Sequence, residues 1–87
     1  MYVILVYDMD QRRVAKMLKH CRKYLNWIQN SVFEGEITKA RLTEMMDKAY
    51  EIMDDEEDSI IVFKSQNKDW LEKEIMGFER QSTGNIL

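Results

Sequence analysis

The run Tyr2-Val3-Ile4-Leu5-Val6-Tyr7-Asp8 decides the fold. In a strand, successive side chains alternate between faces. Tyr2, Ile4, Val6 and Asp8 then share one side, and Val3, Leu5 and Tyr7 share the other. Both sides are apolar until Asp8, the pattern of a strand covered on both faces. Ser59 to Lys64 repeats it, with Ile60 and Val62 opposing Ile61 and Phe63.

Between these two strands the period changes to that of a helix, twice. Asp10 is an N-cap, with Met9 and Val14 spaced as a hydrophobic staple. At 3.6 residues per turn, Val14, Met17, Leu18, Cys21 and Leu25 form one stripe. Arg12, Lys16, Lys19 and Lys23 form a second stripe on the opposite side, and His20 lies beside it, exposed. A second helix opens at Thr38, with Ile37 and Leu42 at staple spacing. Its core stripe is Leu42, Met45, Met46, Ala49, Ile52 and Met53, and the acidic run Asp54 to Asp58 ends it. The β formers from Trp27 to Ile37 read as one bent strand, or as two strands broken near Asn30 and Ser31. Gly35 marks a bulge in that stretch. Asp69 to Met76 fits either a helix or an added edge strand.

The order predicts an α+β fold, a ferredoxin-like βαββαβ sandwich of an antiparallel sheet with two helices on one face. The expected domain spans 1–76, and 77–87 form a C-terminal tail associated with the dimer. The fold leaves one sheet face bare, yet the first and last strands are apolar on both faces. A homodimer packed sheet against sheet, with a C-terminal strand contributing, is the expected solution. Small size favours the same outcome, because 87 residues bury only about 60–65% of their unfolded surface.

Composition removes several classes of function. The net charge of −3 is not that of a uniformly basic nucleic-acid coat. One cysteine forms no internal disulfide, and one Cys with one His is too few for structural zinc. Three glycines, Gly35, Gly77 and Gly84, provide no glycine-rich phosphate cradle. No apolar run is long enough to span a membrane, and Met1 to Asp8 lacks the marks of a signal peptide. The expected location is the cytoplasm. Charge is segregated: Gln11 to Lys23 holds six Lys/Arg and no acid, whereas Glu34 to Asp58 holds ten acids and three bases.

The strings Tyr2-Val3-Ile4-Leu5-Val6-Tyr7-Asp8, Arg13-Val14-Ala15 and Asn30-Ser31-Val32-Phe33-Glu34-Gly35, with the ending Glu72-Lys73-Glu74-Ile75-Met76-Gly77, resemble those of one family. It is the small CRISPR-associated endoribonuclease family that partners the CRISPR integrase in spacer acquisition. The similarity spans essentially the whole chain. It implies a ferredoxin-like homodimer whose last strand reaches the partner's sheet. It also implies magnesium-dependent nuclease activity on RNA or DNA in some members, a metal-linked aspartate at the position of Asp8, and a dimer that bridges the integrase and holds DNA. Where the family often has further arginines, this chain has Gln11 and Trp27.

The candidate catalytic residues are Asp8, Arg13 and Phe33. A lone carboxylate is a poor magnesium site, but two Asp8 side chains at a dimer axis make a credible one. The plainer alternative is that Asp8 caps the following loop or pairs with Arg12 or Arg13. Arg13 is expected beside Asp8. Phe33 would stack on a base if it lines the site, although its strand spacing alone favours the core. Arg12, Arg13, Lys16, Lys19 and Lys23 are the candidate nucleic-acid contacts, against the alternative of a solvated helix face. Cys21 is an inert core thiol. Three functions are weighed: a metal-dependent phosphodiesterase, an architectural DNA-binding subunit with no physiological nuclease activity, and a regulatory module for a small ligand.

Overall fold

The computed structural model describes residues 1–67, 69 and 71–77. The elements follow in the order β1 (Tyr2–Asp8), α1 (Gln11–Cys21), β2 (Asn26–Gln29), β3 (Val32–Glu36), α2 (Lys39–Ile52) and β4 (Ser59–Ser65). The strands form one antiparallel sheet in the order β2-β3-β1-β4. This is the βαββαβ sandwich, with β3 and β1 at the centre of the sheet and β2 and β4 at its edges.

One face of the sheet carries the helices. Val3, Leu5 and Tyr7 of β1 point there and are buried, as are Phe33 of β3, Met17 and Cys21 of α1, and Leu42, Met45 and Ala49 of α2. Each large aliphatic side chain fully withdrawn from water stabilises the fold by about 1.5–3 kcal/mol. Both helix starts are capped as the sequence predicts. The Asp10 side chain accepts from the Arg12 N–H, and Thr38 Oγ1 accepts from the Arg41 N–H at 3.1 Å. Ile37 and Leu42 are both buried beside the second cap.

The stretch from Trp27 to Ile37 resolves into two strands. Asn30, with φ of 45°, makes the turn between them, a left-handed conformation that Asn tolerates. The bulge falls in β2, between Trp27 and Gln29. Gly35 is not bulged. It pairs regularly with Val3, and a Cβ there would lie 3.4 Å from Leu25 Cδ2.

A second correction concerns His20, which is buried rather than exposed. Its Nε2 lies 2.9 Å from the Met45 carbonyl oxygen, and its ring meets Tyr24 edge-on. The approach of α2 covers a side chain that the helical wheel alone leaves at the border of the basic stripe.

Among the described residues, the other sheet face carries no helix. Register places Tyr2, Ile4, Val6 and Asp8 there, beside Val32 and Glu34 of β3 and Ile61 and Phe63 of β4. Ile61 and Phe63 are 52% and 55% exposed. Glu34 is nevertheless buried, because Lys73 reaches it from the C-terminal segment and pairs with its carboxylate. Residues 71–76 have neither helical nor strand structure. Residues 78–87, most of the expected tail, lie outside the described residues.

Candidate active site and nucleic-acid interface

Asp8 ends β1 and pairs across the ladder with Ser59 of β4. The side-chain alternation that starts at Tyr2 places it on the helix-free face. It is exposed. Among the described residues its carboxylate has neither a hydrogen-bond partner nor an ion pair. It therefore neither caps the loop nor pairs with an arginine.

Arg13, expected beside Asp8, is bound to other carboxylates. Its guanidinium is held by Asp58, with Nε 2.6 Å from Oδ2 and Nη2 3.1 Å from Oδ1, and by Glu57 at 3.4 Å. It is a structural tie between α1 and the loop before β4, and it makes no ion pair with Asp8. Arg12 is similarly engaged: its Nε lies 2.8 Å from Asp10 Oδ1 and its Nη2 lies 3.5 Å from Glu57. The Arg12 contacts hold the Asp10 carboxyl below the usual carboxylate range, so Asp10 acts as a cap and ion-pair partner. Asp58 is held lower still, first by the hydrogen bonds from Arg13 and further by the N–H groups of Asp54 and Asp10.

Phe33 is fully buried, on the helix side of the sheet, its ring centroid 6.0 Å from that of Tyr7. It is a core residue. Tyr7 is buried beside it, and burial pushes its hydroxyl up to about 12. Burial also pushes the Cys21 thiol up to about 12, which keeps it a thiol at neutral pH.

The basic stripe divides into two groups. Arg12 and Arg13 spend their charge on Asp10, Glu57 and Asp58. Lys16, Lys19 and Lys23 are exposed, and none pairs with a carboxylate among the described residues. Arg22 lies over the Trp27 ring at 5.5 Å. The three lysines are thus the cations of the stripe available to an external phosphate.

Among the described residues no group of three His, Cys, Asp or Glu side chains lies close enough to hold a metal ion. Among the described residues, no helix is long and apolar enough to cross a membrane.

The residue that sequence reasoning missed is Asp58, which in the sequence is only one member of an acidic run. Its position directly before an apolar strand was the available signal.

The family described as CRISPR associated protein Cas2 matches residues 1–73. The chain belongs to the Cas2 family. Relatives of that name support the assignment along the full length. The CRISPR-associated endoribonuclease Cas2 of Dictyoglomus turgidum is 49% identical over 88 residues, covering 100% of both chains. The protein of the same name from Methanocaldococcus jannaschii is 44% identical, covering 100% of this chain and 76% of its own length. A crystal structure of Cas2 superposes with a TM-score of 0.86 at 37% identity, over 95% of this chain and 93% of that one.

Proposed function

We propose that this Cas2-family protein is a homodimeric endonuclease acting on RNA or DNA, with Asp8 as its acidic residue, and that the dimer serves CRISPR spacer acquisition by bridging the integrase. The observation that carries this reading is the Asp8 carboxylate, exposed and unpartnered among the described residues, on the sheet face that also exposes Ile61 and Phe63. Two copies packed through that face withdraw their apolar side chains from water and bring two such carboxylates toward a common axis.

A pair of carboxylates suits magnesium, a hard cation that takes oxygen ligands and keeps several waters. When bound there, the ion supplies charge neutralisation at a phosphate and a more acidic water. The protein's own contribution is position. Strand β1 fixes Asp8, and Lys16, Lys19 and Lys23 present positive charge to the phosphate backbone, each contact releasing counterions. The relatives are named endoribonucleases, which favours RNA as the polymer cleaved.

A second reading is favoured by the three exposed lysines, which pair with no carboxylate among the described residues: an architectural dimer that holds DNA and performs no cleavage. The two separate in one assay, in which wild type and Asp8→Asn are incubated with labelled RNA and duplex DNA, with and without magnesium. Loss of magnesium-dependent cleavage in Asp8→Asn alone supports the nuclease. Equal cleavage by both proteins refutes the role of Asp8. Binding without cleavage by wild type selects the architectural reading.

A further inference from the structure

The Asp58 side chain is fully shielded from water and accepts four hydrogen bonds. Oδ1 accepts from the Asp10 N–H at 2.8 Å and from Arg13 Nη2 at 3.1 Å. Oδ2 accepts from Arg13 Nε at 2.6 Å and from the Asp54 N–H at 2.9 Å. All four partners are donors. Only an ionised carboxylate, which has two oxygens and no hydrogen, satisfies such a set. An amide of the same shape would turn an NH2 group against two of those donors.

The location gives this arrangement its meaning. Asp10 lies two residues beyond Asp8 along the chain. Ser59, the residue after Asp58, is the ladder partner of Asp8. The two backbone segments that flank Asp8 therefore converge on one buried carboxylate, and Arg13 ties α1 to the same point. Asp8 itself has no side-chain partner among the described residues to hold it, so its placement depends on the backbone on either side. The geometry points to Asp58 as the positioning residue for Asp8: it clamps the β1–α1 loop to the start of β4 and fixes where the exposed carboxylate stands.

This inference rests on the proposed role of Asp8 and deepens it. A reacting carboxylate must be held to a fraction of an ångström, and a displacement of about 1 Å costs on the order of 100-fold in rate. Asp58 does not touch substrate. Its effect should therefore fall on kcat, with KM little changed.

The test compares full-length wild type, Asp8→Asn, Asp58→Asn, Asp58→Glu and Arg13→Lys. All are assayed for RNA cleavage at a temperature where circular dichroism shows each fully folded. Amide hydrogen exchange is followed at Asp10 and at Leu5. In Asp58→Asn, the Asp10 amide exchanges at least about 10-fold faster while Leu5 is unchanged. The kcat of that variant falls by about 10- to 100-fold at constant KM. Asp58→Glu recovers part of the rate, since it restores both acceptor oxygens. If Asp58→Asn does not fold, Arg13→Lys supplies the same comparison in milder form, because it keeps the charge and loses the two-pronged grip.

Faster exchange at Asp10 with unchanged kcat would overturn the inference and leave Asp58 a purely structural ion-pair partner. Unchanged exchange at Asp10 in every variant would also overturn it, whatever the rates. Full cleavage by Asp8→Asn would show instead that the reading of Asp8 is at fault, and the positioning role would fall with it.

Discussion

Replacing Phe33 with alanine and, separately, with leucine distinguishes a core ring from one that stacks on a base. Phe33 is fully buried, pairs across the sheet with Leu5, and stacks on Tyr7 at a centroid distance of 6.0 Å. Removing such a ring costs about 3–5 kcal/mol, the transfer free energy of its atoms plus the cavity left behind. A domain of this size has only about 5–15 kcal/mol of stability in total. Each kcal/mol moves Tm by about 4–8 °C in domains of 60–100 residues. Phe33→Ala should therefore lower Tm by at least about 12 °C. Phe33→Leu refills most of the volume and should cost about 1–2 kcal/mol. Thermal melts by circular dichroism at fixed protein concentration read both values, and RNA cleavage is measured well below the lower Tm. The core placement predicts that Phe33→Leu keeps its cleavage activity and loses a little stability. The reasoning would be refuted if Phe33→Leu melted like wild type but lost more than about 10-fold in rate, the behaviour of a ring that stacks on substrate with about 1–3 kcal/mol per base.

Three other outcomes follow from the same geometry. The Asp58 carboxyl lies below its unfolded value because Arg13 holds its charged form. Its contribution is thus complete above the ordinary aspartate range and is lost as pH falls through the folded value. Wild type should lose Tm more steeply than Asp58→Asn on titration downward from about pH 5, and parallel curves would contradict this. Cys21, buried and with its thiol pushed up to about 12, should resist a thiol reagent at neutral pH until urea unfolds the chain. Rapid labelling of native protein would show that the core is open there. Replacing Lys16, Lys19 and Lys23 together with alanine should weaken duplex binding and flatten the salt dependence, by about 0.9 in log–log slope for each phosphate that the variant no longer neutralises. An unchanged slope would remove the stripe from the interface.

The fold is legible in the sequence because its signals are local. Alternation in Tyr2–Asp8 and Ser59–Ser65, capping at Asp10 and Thr38, and the two helical stripes all lie within short windows. What stays illegible depends on approaches between distant residues. Arg13 and Asp58 are 45 residues apart, and nothing in either window shows that one removes the other from solvent. Likewise Glu34 meets Lys73 across 39 residues, and that pairing turns an apparently exposed strand acid into a buried one. The burial of His20 escapes a helical wheel drawn for α1, because α2 lies beyond its reach. Gly35 suggests a bulge, but it pairs regularly with Val3 and packs under Leu25. The candidate site divides the same way. The three lysines occupy the exposed positions that their helical spacing implies, and Asp8 ends β1 as the run predicts. Arg13 and Phe33 are claimed by an ion pair and by the core, respectively.

The proposed dimer joins two copies through the helix-free sheet face and places their Asp8 residues side by side. Its most direct test is a dipolar distance measurement on Asp8→Cys carrying a nitroxide label, with buried Cys21 left unlabelled in the native protein. Sheet-to-sheet pairing predicts one narrow, short distance between the labels of two chains, abolished by Phe63→Asp. A signal no different from that of randomly dispersed monomers, or a broad long distance untouched by Phe63→Asp, would contradict it.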